Sequence, residues 1–200
     1  MIRAFVALPL PDRVAWALEG AQAGLPVGRA VPVENFHVTL VFLGELPGTV
    51  LEDVHDALSG VRAPAFSIAI DGVGLFGGAT PSSLHARVTG DPGLAHLQAK
   101  VEQAARRAGV SVKAGRFVPH VTLARFGQGL RGEDAERVQH FVAQRLSLAV
   151  APFEVGGFTL YRSRLGKTVA YEALADYPLD GGGAIEGAAE GADRGFSAGW

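Results

Sequence analysis

The sequence predicts an α+β protein of two pseudo-symmetric lobes, each with a mainly antiparallel sheet and outer helices, and with a groove between the two sheets. Short runs that alternate between apolar and polar residues, typical of strands, are interspersed with longer amphipathic runs typical of helices. The segment FHVTLVFLG at 36–44 recurs 83 residues later as PHVTLARFG at 119–127, with five of nine positions identical. The order strand, helix, strand, helix, strand occurs in both halves, which predicts an internal duplication.

The first half contains three predicted strands and two predicted helices. The strands are Ile2–Leu8, Phe36–Leu43 and Ala65–Val73, and the helices are Asp12–Ala23 and Gly48–Leu58. Asp12 follows Pro11 and precedes an apolar periodic run, so we expect Asp12 to be the N-cap of the first helix.

The second half repeats this order and adds one strand. The strands are Leu84–Val88, Val118–Phe126, Pro152–Tyr161 and Thr168–Leu174, and the helices are Pro92–Ala108 and Glu133–Leu146. Asp91 stands directly before the first of these helices and is its expected N-cap. The glycines, proline and serines of 74–83 break both periodicities, which predicts that this segment connects the two lobes.

We expect one bilobal domain over 1–179, built from two interleaved repeats, and a disordered tail over 180–200. The tail holds seven glycines and five alanines in 21 residues, and so has almost no side chains that could pack.

Composition is that of a globular protein that lies outside the membrane. Hydrophobic residues make up 48% and charged residues 19%, and no apolar run approaches the ~20 residues of a membrane-spanning helix. The N-terminal segment lacks a basic cluster and a cleavage site, so we expect a cytoplasmic protein. With no cysteine, disulfides, thiolate metal sites and cysteine nucleophiles are excluded. Residues 100–167 carry 12 basic and 5 acidic groups, which permits a cationic pocket near the second repeated segment.

The repeated segments place a histidine and a threonine on one face of a strand. Since successive strand side chains point to opposite faces, His37 shares a face with Thr39, and His120 shares a face with Thr122, above an apolar underside. Two such pairs across a groove would surround one small anion with two proton-transfer groups and two hydroxyl donors. A phosphate fits that arrangement.

Two imidazoles can supply both an acid and a base near neutral pH, because the ordinary pKa of histidine is ~6.5. In phosphodiester hydrolysis one would take a proton from water and the other would protonate the departing oxygen. No carboxylate lies within either repeated segment or at a helical i+3 or i+4 spacing from its histidine, so we expect no metal. No phosphate-binding glycine-rich loop is present, so we expect no nucleotide cofactor.

The motifs resemble those of the two-histidine phosphoesterase superfamily, and within it the bacterial and archaeal RNA 2',3'-cyclic phosphodiesterases, also called 2'-5' RNA ligases. The similarity extends from about Ile2 to Leu179. The segments that carry it are RAFVALPLP at 3–11, ENFHVTLVFLGE at 34–45, RFVPHVTLAR at 116–125, LYRSRL at 160–165 and a late Tyr171.

The resemblance implies metal-independent hydrolysis of a terminal ribose 2',3'-cyclic phosphate to a 2'-phosphate, with weak 2'-5' joining of RNA ends in reverse. It also implies that His37 is the proton donor and His120 the proton acceptor. Thr39 and Thr122 would hold the phosphate oxygens. The symmetry of the repeat alone does not distinguish donor from acceptor.

Three further residues are substrate-binding candidates. By resemblance, Arg125 would contact phosphate, and Phe42 and Phe5 would stack on a base. Arg125 and Phe42 each lie five residues after their histidine, so in a regular strand they would point away from it. A bulge or bend near Leu43 or Ala124 is therefore required. The other four histidines are expected to have no catalytic part; they are His55, His85, His96 and His140.

Three functions remain open from the sequence. The leading one is an RNA end-processing phosphodiesterase, acting as a monomer on RNA ends or small cyclic-phosphate nucleotides. The second is a related hydrolase of small cyclic nucleotides or of ADP-ribose cyclic phosphate. The third is a nucleotide-binding module without catalysis, against which the presence of both histidines counts.

Overall fold

The computed structural model describes residues 1–164, 166 and 169–187. Within these residues the chain forms nine strands, four helices and a short 3-10 turn at Val33–Asn35. The strands are β1 Ile2–Pro9, β2 Arg29–Ala30, β3 His37–Leu46, β4 Phe66–Phe76, β5 Ser83–Val88, β6 His120–Arg125, β7 Ala149–Val155, β8 Gly157–Arg164 and β9 Ala170–Pro178. The helices are α1 Asp12–Gln22, α2 Gly48–Ser59, α3 Pro92–Arg107 and α4 Gly132–Ala143.

All strand pairings between these elements are antiparallel, which confirms the predicted α+β class. The sheet order is β7-β4-β5-β6-β3-β1-β8-β9, with β2 paired to β6. In the centre, β3 and β6 are joined by the single pair Val38 and Val121. The two strands that carry the repeated motif are therefore neighbours, with three further strands on each side.

The strands of the two halves of the sequence are interleaved in this sheet. β4, which ends the first half of the sequence, pairs with β5 of the second half. β8, from the second half, pairs with β1 of the first. The β1–β8 pairing joins the two ends of the chain, whereas β4 and β5 are consecutive strands near its middle.

The prediction that 74–83 connects two lobes is wrong. Residues 74–76 continue β4, Ser83 begins β5, and the two strands form an antiparallel hairpin in which Gly74 is opposite His85. The tight link between them uses Gly77 at φ 106° and Gly78 at φ 58°, a region that favours glycine. Glycine and proline occur in hairpin loops as well as in linkers, so the composition of 74–83 does not distinguish the two.

Two other predictions require correction. The predicted strand Pro152–Tyr161 is two strands, β7 and β8, which separate at Gly156 and pair at opposite ends of the sheet. Asp12 begins α1 but does not cap it; the N-cap is Pro11, without a side-chain hydrogen bond. Asp91 does cap α3, as predicted, since Oδ1 accepts from the backbone N–H of Gly93 and Leu94.

The core lies beneath the face opposite the motif side chains. Val38, Leu40, Val121 and Leu123 are buried with at most 4% exposure, which confirms the predicted apolar underside. The helices add their own buried apolar stripes, as in Leu51, Val54 and Leu58 of α2 and Leu94, Leu97 and Val101 of α3. Burial of this apolar area anchors both motif strands.

The described part of the predicted tail, 180–187, contacts the rest of the protein. Asp180 forms a bridge with Pro64, and the backbone N–H of Gly183 donates to Glu154 at 2.8 Å. Residues 188–200 lie outside the described residues, as does Thr168, the predicted start of the last strand. No helix in the described part of the chain combines the length and apolarity needed to cross a bilayer.

Candidate active site

The two histidine–threonine pairs lie on the same face of the sheet. Residues opposite each other in an antiparallel pair point to the same side, and Val38 and Val121 are both buried below the sheet. The alternation of β3 and β6 therefore directs the histidines and threonines to the other side. All four are half-buried, neither sealed in the core nor fully open to solvent.

His37 is held by hydrogen bonds at both ring nitrogens. Its Nδ1 lies 2.8 Å from the carbonyl oxygen of Asn35, which can only accept, so Nδ1 carries the proton of the neutral ring. Nε2 lies 3.0 Å from Oγ1 of Thr39 and accepts from that hydroxyl. Asn35 is buried, and its Nδ2 donates to the carbonyl of Val169 at 2.8 Å. The turn that orients His37 is thereby tied to the segment before β9.

Aromatic rings surround His37. Phe5 lies 4.8 Å from it between ring centroids, Tyr171 lies 5.2 Å away edge to face, and Tyr161 lies 6.4 Å away. Burial lowers the pKa of His37 to about 4; the hydrogen bond to Asn35 opposes this, and the charges of His120 and Arg125 lower it further. His37 is therefore neutral at pH 7 in the ligand-free protein.

His120 is oriented in the same way as His37. Its Nδ1 donates to the carbonyl oxygen of Val118 at 2.7 Å, again two residues before the histidine. The rings of Phe76 and His85 lie 4.8 and 5.5 Å from its centroid. Burial lowers the pKa of His120, the Val118 bond opposes this, and the charge of Arg125 lowers it further. In both motifs a backbone carbonyl fixes Nδ1, and Nε2 is the ring nitrogen on the other side, which in His37 meets the Thr39 hydroxyl.

The two histidines share one electrostatic environment. The charge of His120 lowers the pKa of His37, and the charge of Arg125 lowers the pKa of both rings. Because such effects weaken with distance, the two imidazoles and the guanidinium lie near a common region. At pH 7 the positive charge of this region is that of the Arg125 guanidinium, and it favours an anion there.

Bulges bring Arg125 and Phe42 to the histidine face, as the odd spacing required. On β6, Thr122 is opposite His85 and Ala124 is opposite Leu84, so Leu123 is an extra residue. On β3, Leu40 and Leu43 are the extra residues. Leu40 and Leu123 occupy equivalent positions in the two motifs. After each bulge the alternation is inverted.

These bulges leave Arg125 exposed on the same side as Thr122, and Phe42 exposed on the same side as Thr39. Phe42 keeps 66% of its surface accessible, so its ring is open to a base. Phe5 is only 4% exposed; it stacks on Tyr161 at 5.2 Å and contacts His37. Protein rings therefore cover Phe5.

The structure adds residues to the site that the sequence did not single out. Asn35 and His85 lie in contact with the motif histidines; Asn35 falls inside ENFHVTL, but its role depends on a partner 134 residues away. Of the remaining histidines, His55 bonds the Tyr177 hydroxyl at 2.8 Å, and His140 contacts Gln144 on α4. Among the described residues, no three side chains of metal-ligand type come together.

Comparison with known proteins identifies the family. A family model of the 2'-5' RNA ligase superfamily matches residues 11–167. The chain belongs to the 2'-5' RNA ligase superfamily. This membership confirms the resemblance drawn from the two motifs.

Named relatives of this superfamily member are similar over most of the chain. The Thermus thermophilus protein named RNA 2',3'-cyclic phosphodiesterase is 33% identical over 193 residues, covering 90% of this chain and 91% of the relative. A protein of the same name from Geobacillus stearothermophilus is 33% identical over 184 residues, which cover 88% of this chain. The chain spans 57% of that relative's length.

Solved structures share the fold of this superfamily member. The crystal structure of Escherichia coli LigT complexed with 3'-AMP matches with a TM-score of 0.72 at 23% identity, covering 90% of this chain and 98% of that one. The crystal structure of TT0787 of Thermus thermophilus matches with a TM-score of 0.71 at 27% identity, covering 88% and 97%.

Proposed function

We propose that this protein is a metal-independent RNA 2',3'-cyclic phosphodiesterase that converts a terminal 2',3'-cyclic phosphate to a 2'-phosphate. One observation carries the proposal: two histidine–threonine pairs lie at equivalent positions on adjacent strands and on one face of the sheet. The names of several relatives support the reaction. We also propose that the protein is cytoplasmic, acts as a monomer and joins RNA ends weakly through the reverse reaction.

In the proposed mechanism, His120 accepts a proton from water as the water oxygen attacks phosphorus. The bond between phosphorus and the 3'-oxygen breaks, and His37 gives that oxygen a proton. The 2'-oxygen keeps the phosphate. Each proton transfer contributes typically ~10² to 10⁴ in rate.

In the proposed mechanism, His37 takes up a proton when the substrate binds. The pKa of His37 in the ligand-free protein is about 4, so the ring is neutral near pH 7. An adjacent phosphate anion favours the charged imidazolium and raises that pKa. The order of events in the proposal is therefore substrate binding with proton uptake, then transfer of that proton to the 3'-oxygen.

The threonines and Arg125 would hold the nonbridging oxygens. The Thr39 hydroxyl now donates to Nε2 of His37, and a phosphate oxygen would take its place as acceptor. Thr122 offers a second hydroxyl on the same face, and the exposed Arg125 offers a planar donor group. Donors aimed at developing negative charge lower the barrier further.

Phe42 is the proposed base-stacking residue. Its exposed ring accepts any base face, since stacking depends little on base identity. The sequence also offers Phe5 for base stacking; because Phe5 is buried, we propose instead that its ring packs against His37. We therefore expect the protein to bind the terminal nucleotide with little preference for its base.

Product analysis tests this function. A short RNA with a 2',3'-cyclic phosphate end is incubated with the protein, with and without a chelator, and the product is resolved into 2'- and 3'-phosphate forms. We expect only the 2'-phosphate, at equal rates in both samples. Faster turnover of free cyclic mononucleotides would favour the small-nucleotide hydrolase. Binding without turnover would favour the nucleotide-binding module, and loss of activity with chelator would contradict metal independence.

A further inference from the structure

His85 lies next to the proposed acceptor, His120, although its place in the sequence gave no sign of this. It is on β5 and is 6% exposed. In the β5–β6 register His85 is opposite Thr122, so the two side chains share the face that carries the motif histidines. A third imidazole thus belongs to the surroundings of the site.

The rings of Phe76, His85 and His120 form a compact group. Phe76 and His85 are stacked with centroids 3.9 Å apart and planes 18° apart. His120 is 4.8 Å from Phe76 and 5.5 Å from His85, at 78° and 71° to their planes. A ring placed on top of the Phe76–His85 stack would be close to only one of the two rings. Because His120 is close to both, it lies beside the stack. The His120 ring is therefore packed against the side of the stack, close to perpendicular to both of its rings.

The His85 ring is neutral, and its buried position is unusual for a polar side chain. Its Nδ1 is buried without a hydrogen-bond partner among the described residues, which costs stability. Burial, then the charges of His120 and Arg87, lower its pKa to about 4. A Cβ on Gly74 would lie 2.9 Å from Nε2 of His85, so the imidazole rests directly on the glycine backbone.

The two motif histidines differ in how firmly their backbone acceptors are held. The carbonyl that binds His37 belongs to Asn35, whose buried side chain is tied to Val169. The carbonyl that binds His120 belongs to Val118, which is 45% exposed and lies outside the strands. His120 therefore depends more on ring packing for its orientation.

We propose that His85 is a positioning residue that, with Phe76, holds the ring of His120 so that Nε2 faces the substrate phosphate. The residue opposite Thr39, which corresponds to His85 in the other motif, is Ala7. No such ring is needed there because Asn35 and the aromatic residues around His37 fix that histidine. The inference rests on the proposed function for its catalytic consequence, but the orientation of His120 can be measured without turnover.

The test compares His85→Ala, His85→Phe and, as a matched control, His55→Ala. Steady-state kinetics on the cyclic-ended RNA are combined with nitrogen NMR shifts of the His120 ring, which report its tautomer. For His85→Ala we expect kcat to fall about tenfold with KM within about twofold, since a slight misplacement of a catalytic group is costly. The His120 shifts should change from a single Nδ1–H tautomer to an average of two.

His85→Phe keeps a ring at this position and should restore kcat to within about threefold of the native value. His55→Ala removes a histidine that bonds Tyr177 and should lower the melting temperature without changing kcat or the His120 shifts. Should His85→Ala fail to fold, Phe76→Leu removes the other stacked ring and should give the same two changes.

Native kcat and unchanged His120 shifts in His85→Ala would overturn the positioning role. Equal losses in His85→Ala and His85→Phe would also overturn it, because a ring would then not suffice. An inactive native protein would instead contradict the proposed function, and the tautomer of His120 would still decide the role of His85.

Discussion

Among single residues, those that matter most to the active site are the few whose carbonyls and side chains orient the imidazoles of His37 and His120. The same arrangement occurs twice: a carbonyl two residues before each histidine accepts from Nδ1, at 2.8 Å for His37 and 2.7 Å for His120. This fixes the tautomer in which Nε2 can accept a proton or hold one for transfer. The supporting residues around the two rings differ, which breaks the symmetry of the motifs.

Asn35→Ala should weaken both the fold and the site. Removing its amide leaves the Val169 carbonyl without that donor and frees the turn that orients His37. We expect a loss of about 1–3 kcal/mol in the free energy of unfolding, from urea titration, and a lower kcat. Gln98→Ala removes a side-chain amide that bonds Glu102 within α3 and serves as the control, with native kcat. A native kcat in Asn35→Ala would contradict the orienting role of Asn35.

The pH dependence of kcat/KM should have an acidic optimum. kcat/KM reports the free enzyme, in which the pKa of His37 is about 4 and that of His120 is lowered from 6.5. The proposed active form carries a proton on His37 and none on His120. Activity falls as pH drops through the lower pKa, because both rings are then charged, and falls as pH rises through the higher one, because both are then neutral.

We therefore predict a bell-shaped profile of kcat/KM with its maximum below pH 6.5. The kcat profile should be displaced to higher pH, because bound phosphate raises the pKa of His37. Initial rates from about pH 3.5 to 9 measure both. A flat profile, or a kcat/KM maximum well above neutral pH, would contradict paired imidazoles with these lowered pKa values.

At the scale of elements, the bulges in β3 and β6 are the features that assemble the site. An extra residue at Leu40 and another at Leu123 turn Phe42 and Arg125 to the histidine face. A bulge of this kind inverts the alternation without ending the strand. The motif and the residues beyond it can then both face one ligand.

The helix caps offer a direct comparison between two aspartates. Asp91 bonds two backbone N–H groups of α3, whereas Asp12 in the first turn of α1 makes no cap bond. Asp91→Ala should cost about 1 kcal/mol of unfolding free energy, and Asp12→Ala only a few tenths. Urea unfolding of both variants measures the difference, and equal losses would show that the Asp91 bonds do not stabilise the helix.

Local pattern predicted most of the elements and the faces of the motif strands, for physical reasons that are visible in individual residues. The alternation of Val38 and Leu40 with His37 and Thr39 follows from strand geometry alone. The neighbours of each strand do not, because pairing β1 with β8 joins residues far apart in the sequence. His85 was missed for the same reason: only the β5–β6 register places it beside His120.

At the scale of the whole molecule, the sheet holds two four-stranded blocks that meet at one strand pair. The blocks are β7-β4-β5-β6 and β3-β1-β8-β9, and each receives strands from both halves of the sequence. We propose that this order reflects two interleaved repeats in one domain. The site lies where the repeats meet, so both copies of the motif contribute to it.

The site should also make the whole protein less stable in mild acid. His37, His85 and His120 have pKa values lowered from 6.5 in the folded protein, first by burial. The unfolded chain therefore binds more protons below pH 6.5, and the free energy of unfolding falls as pH decreases toward 4, by on the order of a few kcal/mol. Glu102 and Glu172 have lowered pKa values, so their contribution is lost only below about 4.5.

Urea unfolding at pH 7, 6 and 5 measures this dependence. His85→Phe removes one of the three histidines with a lowered pKa, and should reduce the loss of unfolding free energy between pH 7 and 5. A native protein whose unfolding free energy is constant over this range would contradict the lowered pKa values.

The proposed mechanism assigns its two proton transfers to His37 and His120, at one phosphate. Its most direct test is the turnover of a cyclic-ended RNA by His37→Ala and by His120→Ala, with circular dichroism to confirm that each variant is folded. We expect each substitution to lower kcat by at least ~10²-fold. A loss below about tenfold in either folded variant would show that its histidine does not carry a proton transfer.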